Sequence, residues 1–192
     1  MIELRFSASE RSRVGELYWS AFGRKLRAAF PDAASGQAFV TDTLRSDRTL
    51  VARIDGEIAG ICGFHENGHG AAGLSWRALR ERFGTRTAIW ASLVLAPLSR
   101  TERGGVLLLD GICVSPGLRG KGIGTALLTA AETHAAARGD AEVQLTVVDT
   151  NPRAEALYRR RGFRVVDEGS LGALGNLYGF QRYRTMRKRI GR

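Results

Sequence analysis

The chain has 192 residues, 44% of them hydrophobic and 25% charged, which is enough for one globular domain with a sizeable core. Charged residues occupy the start, where a secretory signal would be apolar, and the longest apolar run, 87–98, is too short to span a bilayer. The two cysteines, Cys62 and Cys113, lie in strand-like apolar runs and are expected to be buried, reduced thiols. These features predict a single-domain cytoplasmic protein over 1–192 and exclude a membrane-spanning or disulfide-stapled one.

Arginine accounts for most of the positive charge, and the formal net charge is +10 at pH 7. The basic residues are spread along the sequence rather than gathered in one segment. This distribution is typical of a solvated arginine-rich surface, and it leaves open an attraction to polyanions such as RNA. We favour the surface interpretation and predict no nucleic-acid partner.

Hydrophobic periodicity predicts a strand, two helices and a two-stranded hairpin in the first third of the chain. In chain order these elements cover residues 2–8, 10–30, 35–44, 49–54 and 58–65. Asp55-Gly56 indicates the hairpin, because this pair readily adopts the positive φ angles of a two-residue turn.

The letters from His65 to His69 read His-Glu-x-x-His, the pattern of zinc proteases. That chemistry needs both histidines on one face of a helix, with the glutamate as base. Asn67-Gly68 is a turn pair and a strand precedes it. The sequence therefore predicts an exposed loop here and no metal site.

Residues 71–103 form a long insertion before the next strand. Apolar spacing predicts two helices, the first ended by Gly84 and the second capped by Thr85. Their tryptophans and leucines need burial, which packing on the chain's own sheet would supply. A homodimer contact and a lid over a pocket are the alternatives.

The chain is organised around the stretch from Leu109 to Leu128, which belongs to a strand that starts at Val106 and a helix that runs to about Arg138. It predicts a strand over 106–114, then the sequence Arg-x-x-Gly-x-Gly from Arg119, then a helix. Backbone N–H groups at a helix start have no partner within the helix and carry the positive end of its dipole. We therefore predict a pyrophosphate cradle, to which Arg119 and Lys121 add two positive charges.

Two other phosphate-binding patterns fit this loop poorly. A nucleotide-hydrolysing P-loop needs lysine where Ile123 stands, although Gly117 and Gly122 have the right spacing. A dinucleotide fingerprint needs a third glycine where Thr125 or Leu127 stands.

A second informative stretch covers 149–163. Asn151 is predicted to cap a helix that Gly162 ends. Asn151, Ala154 and Tyr158 then share one face of that helix.

The order strand, helix, strand predicts that 106–114 and 142–148 run parallel in one sheet. The C-terminal part adds strands over 163–166 and 183–190, separated by a Gly- and Leu-rich loop over 170–180.

Both stretches closely resemble the GCN5-related N-acetyltransferase (GNAT) family. The first resembles its Arg/Gln-x-x-Gly-x-Gly/Ala loop, and the second its Asn-x-x-Ala-x-x-x-Tyr-x-x-x-Gly-Phe segment. The resemblance covers most of the chain, and its specific motifs lie between Val106 and Phe163. It implies an α+β fold: a mixed, mostly antiparallel sheet flanked by helices on both faces.

The resemblance also implies an acyl-CoA-dependent N-acetyltransferase that moves the acetyl group of acetyl-CoA directly to a primary amine, without an acyl-enzyme. Tyr158 would give a proton to the departing thiolate, and a backbone N–H near Val114 would face the developing oxyanion. Strands that diverge after residues 114 and 149 would free backbone groups for the pantetheine arm. The residues expected to bind acetyl-CoA are Ile112, Cys113, Val114, Arg119, Gly120, Lys121, Gly122, Ile123, Gly124, Thr125, Asn151, Ala154 and Tyr158.

The base that deprotonates the amine is not given by the family pattern, because the place of the family's catalytic glutamate falls at Leu108. Asp110 lies on the same strand face if no bulge intervenes, and we predict it as the base, with Glu66 as a second candidate. A structural carboxylate is the alternative role for Asp110.

The acceptor side is expected from the first helices, the 71–103 insertion and the loop over 170–180, which are rich in apolar residues and poor in acids. We therefore expect a small amine, an amino-acid-like compound or a protein N-terminus, rather than a polyamine or an aminoglycoside. The alternative function is a non-catalytic basic protein that binds RNA or phosphate on the same scaffold.

Overall fold

Seven strands form one sheet in the structure, a computed structural model that describes residues 1–98 and 101–191. The strands are β1 (Ile2–Leu4), β2 (Thr49–Ile54), β3 (Glu57–Phe64), β4 (Val106–Val114), β5 (Glu142–Val148), β6 (Arg164–Ser170) and β7 (Arg182–Arg189). They lie in the order β1-β2-β3-β4-β5-β7-β6. Within the described residues β4 and β5 run parallel, as predicted, and the other neighbouring strands run antiparallel.

Helices cover both faces of this sheet, so the predicted fold class is confirmed. They are α1 (Arg11–Leu26), α2 (Ala33–Thr43), α3 (Trp76–Leu95), α4 (Ile123–Ala137), α5 (Pro152–Arg160) and α6 (Gly175–Tyr178). One core lies between the sheet and α1, with α2, α3 and α6 packed around it, and the other lies between the sheet and α4 and α5. We call these sides the α1 face and the α4 face. Within the described ranges, none of these helices combines the length and apolar character that crossing a membrane would need.

The strand boundaries follow the predictions closely in the middle of the chain and less closely at its ends. β1 stops at Leu4, because Arg5 takes a positive φ of 82° and leaves the strand. β6 continues to Ser170, because it pairs with β7 along that length. The loop predicted over 170–180 contains a 3₁₀ turn and the short helix α6.

The insertion packs on helices rather than on the sheet, which corrects the interpretation that the sequence favoured. α3 is interrupted as predicted at Gly84, where φ is 80° and ψ is 170°. The ring of Phe83 lies 5.8 Å from that of Phe30 and 5.2 Å from that of Phe39, at the junction of α1 and α2. The opposite side of α3 remains exposed. Residues 99 and 100 of the insertion lie outside the described residues.

β4 and β5 separate early, and the gap between them is the main opening in the sheet. They pair only from Val106 and Glu142 to Leu108 and Gln144, whereas β5 stays paired with β7 through its whole length. The predicted divergence after residues 114 and 149 is therefore wrong. A β-bulge explains the early separation, since Asp110 is the extra residue between two consecutive β3 partners and a bulge bends its strand. We call this gap the split.

Candidate active site

The glycine loop opens α4 in a conformation suited to an anion. Gly120 and Gly122 have φ angles of 81° and 82°, and Gly122 is the N-cap of α4. Apart from each glycine's own chain neighbours, no atom lies within 4 Å of an ideal Cβ at either position, so a ligand could approach the backbone there. Arg119 and Lys121 are exposed beside them. The loop has the shape and charge that a pyrophosphate needs.

The loop lies at the end of β4 and against α5. A Cβ built on Gly124 would approach Leu157 of α5 to 3.3 Å and Val114 of β4 to 4.0 Å. The Arg119 Nε atom donates a hydrogen bond of 3.2 Å to the Val114 carbonyl. Ile123 is buried in the α4-face core, which leaves only its backbone for a ligand, and Thr125 is half-buried one position further along the helix.

Two backbone groups of β4 point into the split. The Ser115 N–H donates to the Ala59 carbonyl on β3 at 2.9 Å. Successive backbone groups along a strand point in opposite directions. The N–H groups of Ile112 and Val114 therefore face the split, while that of Cys113 faces β3. Of the three β4 residues predicted to pair with a pantetheine arm, two have suitably directed backbone groups.

Neither cysteine is placed as a nucleophile. Burial raises the pKa of the Cys113 thiol, whose Sγ donates to the Leu17 carbonyl at 3.1 Å. Burial, with the nearby Asp110 carboxylate, raises the pKa of Cys62 to about 12. Both thiols are free and buried, as predicted. The thiolate is the reactive form, so both side chains are inert at neutral pH.

Tyr158 of α5 belongs to the core of the α4 face. Asn151 caps α5, since its Oδ1 accepts a hydrogen bond of 3.2 Å from the Ala154 N–H. Tyr158 is 8% exposed, and its ring lies 6.0 Å from that of Phe163. Burial, followed by the proximity of the Cys62 thiol, raises the Tyr158 pKa. The phenol therefore stays protonated over the working range of an enzyme and is available as a proton donor.

The α1 face of the same region holds a pocket of about 870 Å³. Its walls come from α1, from the segment after β3, from both ends of the insertion and from Asp110 on β4. A neighbouring groove of about 570 Å³ shares Lys25, Leu98 and Thr101 with it and is lined by Leu171 and Phe180 of the C-terminal loop. All three segments expected on the acceptor side thus line one of these cavities.

Four side chains form a polar cluster in this pocket, which we call the carboxylate–histidine cluster: Tyr18, His65, Glu102 and Asp110. The Tyr18 hydroxyl donates to the Asp110 Oδ2 at 3.3 Å. The His65 Nε2 lies 3.6 Å from the Asp110 Oδ1, and its Nδ1 lies 3.9 Å from the Glu102 Oε1. Glu102 in turn accepts from the Gly68 N–H at 3.0 Å. The expectation of an acceptor side poor in acids is therefore wrong for this pocket, because two carboxylates from separate segments converge there.

The second candidate base, Glu66, is engaged elsewhere. Its carboxylate binds Arg138 at the end of α4 and lies 2.7 Å from Arg48. Each of its two oxygens thus contacts a guanidinium group, and Glu66 is not among the residues that line the pocket of about 870 Å³. We therefore exclude Glu66 from that role.

The His-Glu-x-x-His letters fold as a turn, as predicted. Asn67 and Gly68 have φ angles of 56° and 77°, and Glu66 and His69 bridge across the turn. The two histidines thus lack the shared helix face of a zinc protease. In the ranges 1–98 and 101–191, no group of three or more His, Cys, Asp or Glu side chains is arranged to hold a metal ion.

Sequence reasoning missed three members of the carboxylate–histidine cluster: Tyr18, His65 and Glu102. Tyr18 reads as one apolar member of a helical stripe, and His65 attracts attention only through the zinc pattern. The available signal was the position of His65 at the end of a strand paired with β4. Using it requires the register of that pairing, which the sequence does not reveal.

The sheet is antiparallel except for β4 and β5, which run parallel and separate, and a glycine loop opens the helix after β4. This is the architecture of the acyl-CoA N-acyltransferase fold. The model of the acetyltransferase (GNAT) family matches residues 12–163. The chain therefore belongs to the GNAT family of acetyltransferases.

Solved structures with the same fold include an N-acetyltransferase from Staphylococcus aureus Mu50, at 17% identity and a TM-score of 0.65, with 98% of this chain and 100% of that chain covered. The ribosomal-protein-S18-alanine N-acetyltransferase from Escherichia coli has 16% identity and a TM-score of 0.56, with 100% of this chain and 94% of that chain covered. A mutant of agmatine N-acetyltransferase in its apo form has 15% identity and a TM-score of 0.61, over 99% of each chain. At these identities the likeness establishes the fold.

Proposed function

We propose that this protein transfers the acetyl group of acetyl-CoA to a primary amine by direct attack in a ternary complex. The observation that carries the proposal is the split, which lies between the glycine loop and Tyr158 on the α4 face and a carboxylate-containing pocket on the α1 face. A thioester in the split would thus be reached from one side by an amine and from the other by a proton donor.

Acetyl-CoA supplies the thioester and the phosphates that the glycine loop would hold. The fit rests on two positive-φ glycines, open N–H groups at the start of α4 and the exposed Arg119 and Lys121. Backbone groups of Ile112 and Val114 directed into the split would bind the extended arm. Asn151 and Ala154, joined by the cap of α5, border the same region.

Direct attack is favoured over an acyl-enzyme because no activated cysteine is near. Cys113 points to α1, donates to the Leu17 carbonyl and has a raised pKa, and Cys62 is fully buried. Acyl transfer through either thiol would need a thiolate that burial disfavours.

The groups that act on the acyl carbon are proposed from direction and burial. A backbone N–H of Ile112 or Val114 would donate to the oxygen that gains negative charge during attack. Tyr158, kept protonated by burial, would give its proton to the departing sulfur. Asp110 lies roughly 7 Å along β4 from Ile112, on the side from which the amine arrives.

The acceptor is proposed to be a small amine, an amino-acid-like compound or a protein N-terminus. Glu102 and Asp110 favour an ammonium group in the α1-face pocket, and Lys25 and Arg45 line the same pocket. Such mixed charge suits an acceptor that carries an anionic group besides its amine. Two of the structural neighbours are named for a ribosomal-protein alanine and for agmatine, so the fold accommodates both kinds of acceptor.

RNA binding by the arginine-rich surface gains little support as the main function. Arg184 and Arg187 of β7 are paired with glutamates, at 2.8–2.9 Å, rather than free for phosphates. The single-domain organisation, the cytoplasmic location, a homodimer and the absence of a nucleic-acid partner stay predictions.

A panel of amines tests the proposal. Purified protein with acetyl-CoA is offered small amines, amino acids, N-terminal peptides, spermidine and an aminoglycoside, and released coenzyme A thiol is measured. We expect thiol release with at least one acceptor, and saturable acetyl-CoA binding by calorimetry. Binding of RNA with a steep salt dependence, without thiol release, would favour the non-catalytic alternative. Spermidine or an aminoglycoside as the best acceptor would contradict the acceptor class alone.

A further inference from the structure

We propose that His65 takes the proton from the acceptor ammonium, with Glu102 behind its ring and Asp110 facing it across the ammonium site. This inference rests on the proposed function and assigns the one role in it that the family pattern leaves open. His65 is thereby proposed as a catalytic residue, and Asp110 as the carboxylate that holds the incoming ammonium.

The distance between His65 and Asp110 allows one nitrogen atom, lying to the side of the line that joins them, to contact both. The His65 Nε2 and the Asp110 Oδ1 are 3.6 Å apart, slightly beyond a direct hydrogen bond. An ammonium nitrogen beside this gap could lie within hydrogen-bond distance of both atoms. The Tyr18 hydroxyl binds the other oxygen of the carboxylate at 3.3 Å, which orients Oδ1 towards the gap.

The other side of the imidazole is supported by Glu102. The Glu102 Oε1 lies 3.9 Å from the His65 Nδ1 and accepts from the Gly68 N–H at 3.0 Å. When the ammonium binds Asp110 on the Nε2 side of the ring, Glu102 is the carboxylate left beside Nδ1. It then favours the tautomer with the proton on Nδ1, so that Nε2 presents its lone pair to the pocket.

The backbone holds this arrangement close to the split. The His65 N–H donates to the Leu108 carbonyl of β4 at 2.8 Å. Gly70 makes room for the ring, because a Cβ there would lie 2.8 Å from the His65 Nε2 and 3.3 Å from the Asp110 Oδ2. The His65 side chain is 19% exposed, so it is reachable from the pocket but partly shielded from water.

The choice of His65 over Asp110 follows from chemistry at neutral pH. Imidazole is the commonest proton acceptor there, whereas a carboxylate beside an ammonium binds it as an ion pair. The groups facing the His65 ring are Tyr18 of α1, Asp110 of β4 and Glu102 of the insertion. Lys25, Arg45 and His69 line the same pocket and contribute to its potential.

The protons balance when these groups act in the reaction. The ammonium loses one proton to the His65 Nε2, and the neutral amine then forms the C–N bond while the C–S bond breaks. The nitrogen loses its second proton to water, and Tyr158, after giving its own proton to sulfur, takes one back from water. His65 returns its proton to solvent, and the products are the amide, the free thiol and one released proton.

The kinetic test uses the best acceptor of the amine panel and measures kcat/KM for that amine between pH 5.5 and 9.5. We expect His65→Gln to lower kcat/KM roughly a hundredfold at neutral pH and to remove the acidic limb of the profile, while acetyl-CoA affinity stays unchanged. Added imidazole should restore turnover to His65→Ala. His134→Gln is the control, since that histidine packs on Phe64 on the α4 face.

A binding readout does not depend on turnover. Without acetyl-CoA, the ring-proton NMR signal assigned to His65 by its loss in His65→Gln should shift as the amine is added, and Asp110→Asn should weaken that titration. The signal of His134 should not move.

A second variant perturbs the ring without replacing it. Gly70→Ala places a methyl group against the His65 Nε2 and should lower kcat/KM for the amine about tenfold, by displacing the general base. Gly104→Ala, two residues after Glu102 in the chain, has open space at its Cβ position and should leave kcat/KM unchanged.

The outcomes separate this inference from the proposed function. If His65→Gln releases thiol at the wild-type rate and keeps the acidic limb of the pH profile, the assignment of His65 is overturned and the proposed function stands. An acidic limb that survives His65→Gln and disappears in Asp110→Asn gives the proton to Asp110 instead. Acetyl-CoA binding without thiol release for any acceptor overturns the proposed function, and this assignment with it.

Discussion

The two sides of the split are built in different ways. On the α4 side, the groups proposed to face acetyl-CoA come from two contiguous stretches, and most of them are backbone N–H groups at the start of α4 and along β4. On the α1 side, the groups are side chains from four separate segments: α1, the turn after β3, the insertion and β4. A site of the first kind depends on local conformation, and a site of the second kind depends on how distant segments pack.

This difference explains why the sequence predicts the local conformation of one side but not the assembly of the other. Gly122 must adopt a left-handed conformation, and Asn151 must cap a helix, so their types follow from local backbone geometry. His65 and Glu102 meet only because β3 pairs with β4 and the insertion returns to the same place. Neither register nor tertiary packing can be read from local patterns.

The comparison also accounts for the error about the split. Its position depends on the bulge at Asp110, where one extra residue is accommodated between two β3 partners. A bulge changes the strand direction without any distinctive residue pattern, since the strand remains apolar on both sides of it. The parallel pairing of β4 and β5 was predictable, because two strands of one sheet that are connected by a helix crossover run parallel, and this connection is nearly always right-handed.

The largest expected effect is on the backbone-built side. Gly122→Trp should abolish saturable acetyl-CoA binding, because the new side chain fills the loop and a positive φ strains it. Losing about three charge-assisted hydrogen bonds of roughly 1.5 kcal/mol each corresponds to roughly a thousandfold in affinity. Titration calorimetry measures this directly.

Gly139→Trp is the matched control for that change. Gly139 also has a φ of 82° and open space around its Cβ position, but it follows the opposite end of α4. Both variants should lose similar stability, and only Gly122→Trp should lose acetyl-CoA. Unchanged affinity in Gly122→Trp would contradict the assignment of the loop.

The next effect concerns Tyr158, the side chain on the α4 side that we propose as the proton donor. Tyr158→Phe should lower turnover roughly a hundredfold, as expected for a lost general acid, with acetyl-CoA affinity retained. Since burial raises the Tyr158 pKa, this phenol should add no alkaline limb to the pH profile of the wild type below pH 9.5. Single-turnover measurements ensure that the chemical step is observed.

Tyr178→Phe separates a catalytic tyrosine from a structural one. The Tyr178 hydroxyl donates to the Val94 carbonyl at 2.7 Å in a buried contact, so its removal should lower the free energy of unfolding by about 1–2 kcal/mol. Its turnover per folded molecule should equal that of the wild type. If Tyr158→Phe behaved like Tyr178→Phe, the proton donor would have to be sought elsewhere.

The smallest effect tests whether side-chain contacts also hold the α1 side together. Glu10, at the start of α1, binds the Arg53 guanidinium of β2 at 2.7 Å, and this pairing is the main cause that lowers the Glu10 pKa from its usual 4.5 to about 2. A lowered pKa in the folded state stabilises the protein above pH 4.5, and this contribution is lost as the pH falls from 4.5 towards 2. Glu10→Gln should therefore lower the free energy of unfolding by about 1 kcal/mol at pH 7. This is less than the pKa shift alone would give, because solvent reaches the ion pair. The variant should also lose less stability than the wild type as the pH falls below 4.5.

Glu16→Gln is the control, since it removes an exposed partner of Arg13 and should change the free energy of unfolding by only a few tenths of a kcal/mol. Urea unfolding at pH 7, 4.5 and 3 measures both variants, and equal effects of the two at pH 7 would mean that the ion pair between α1 and β2 contributes no more than a surface contact.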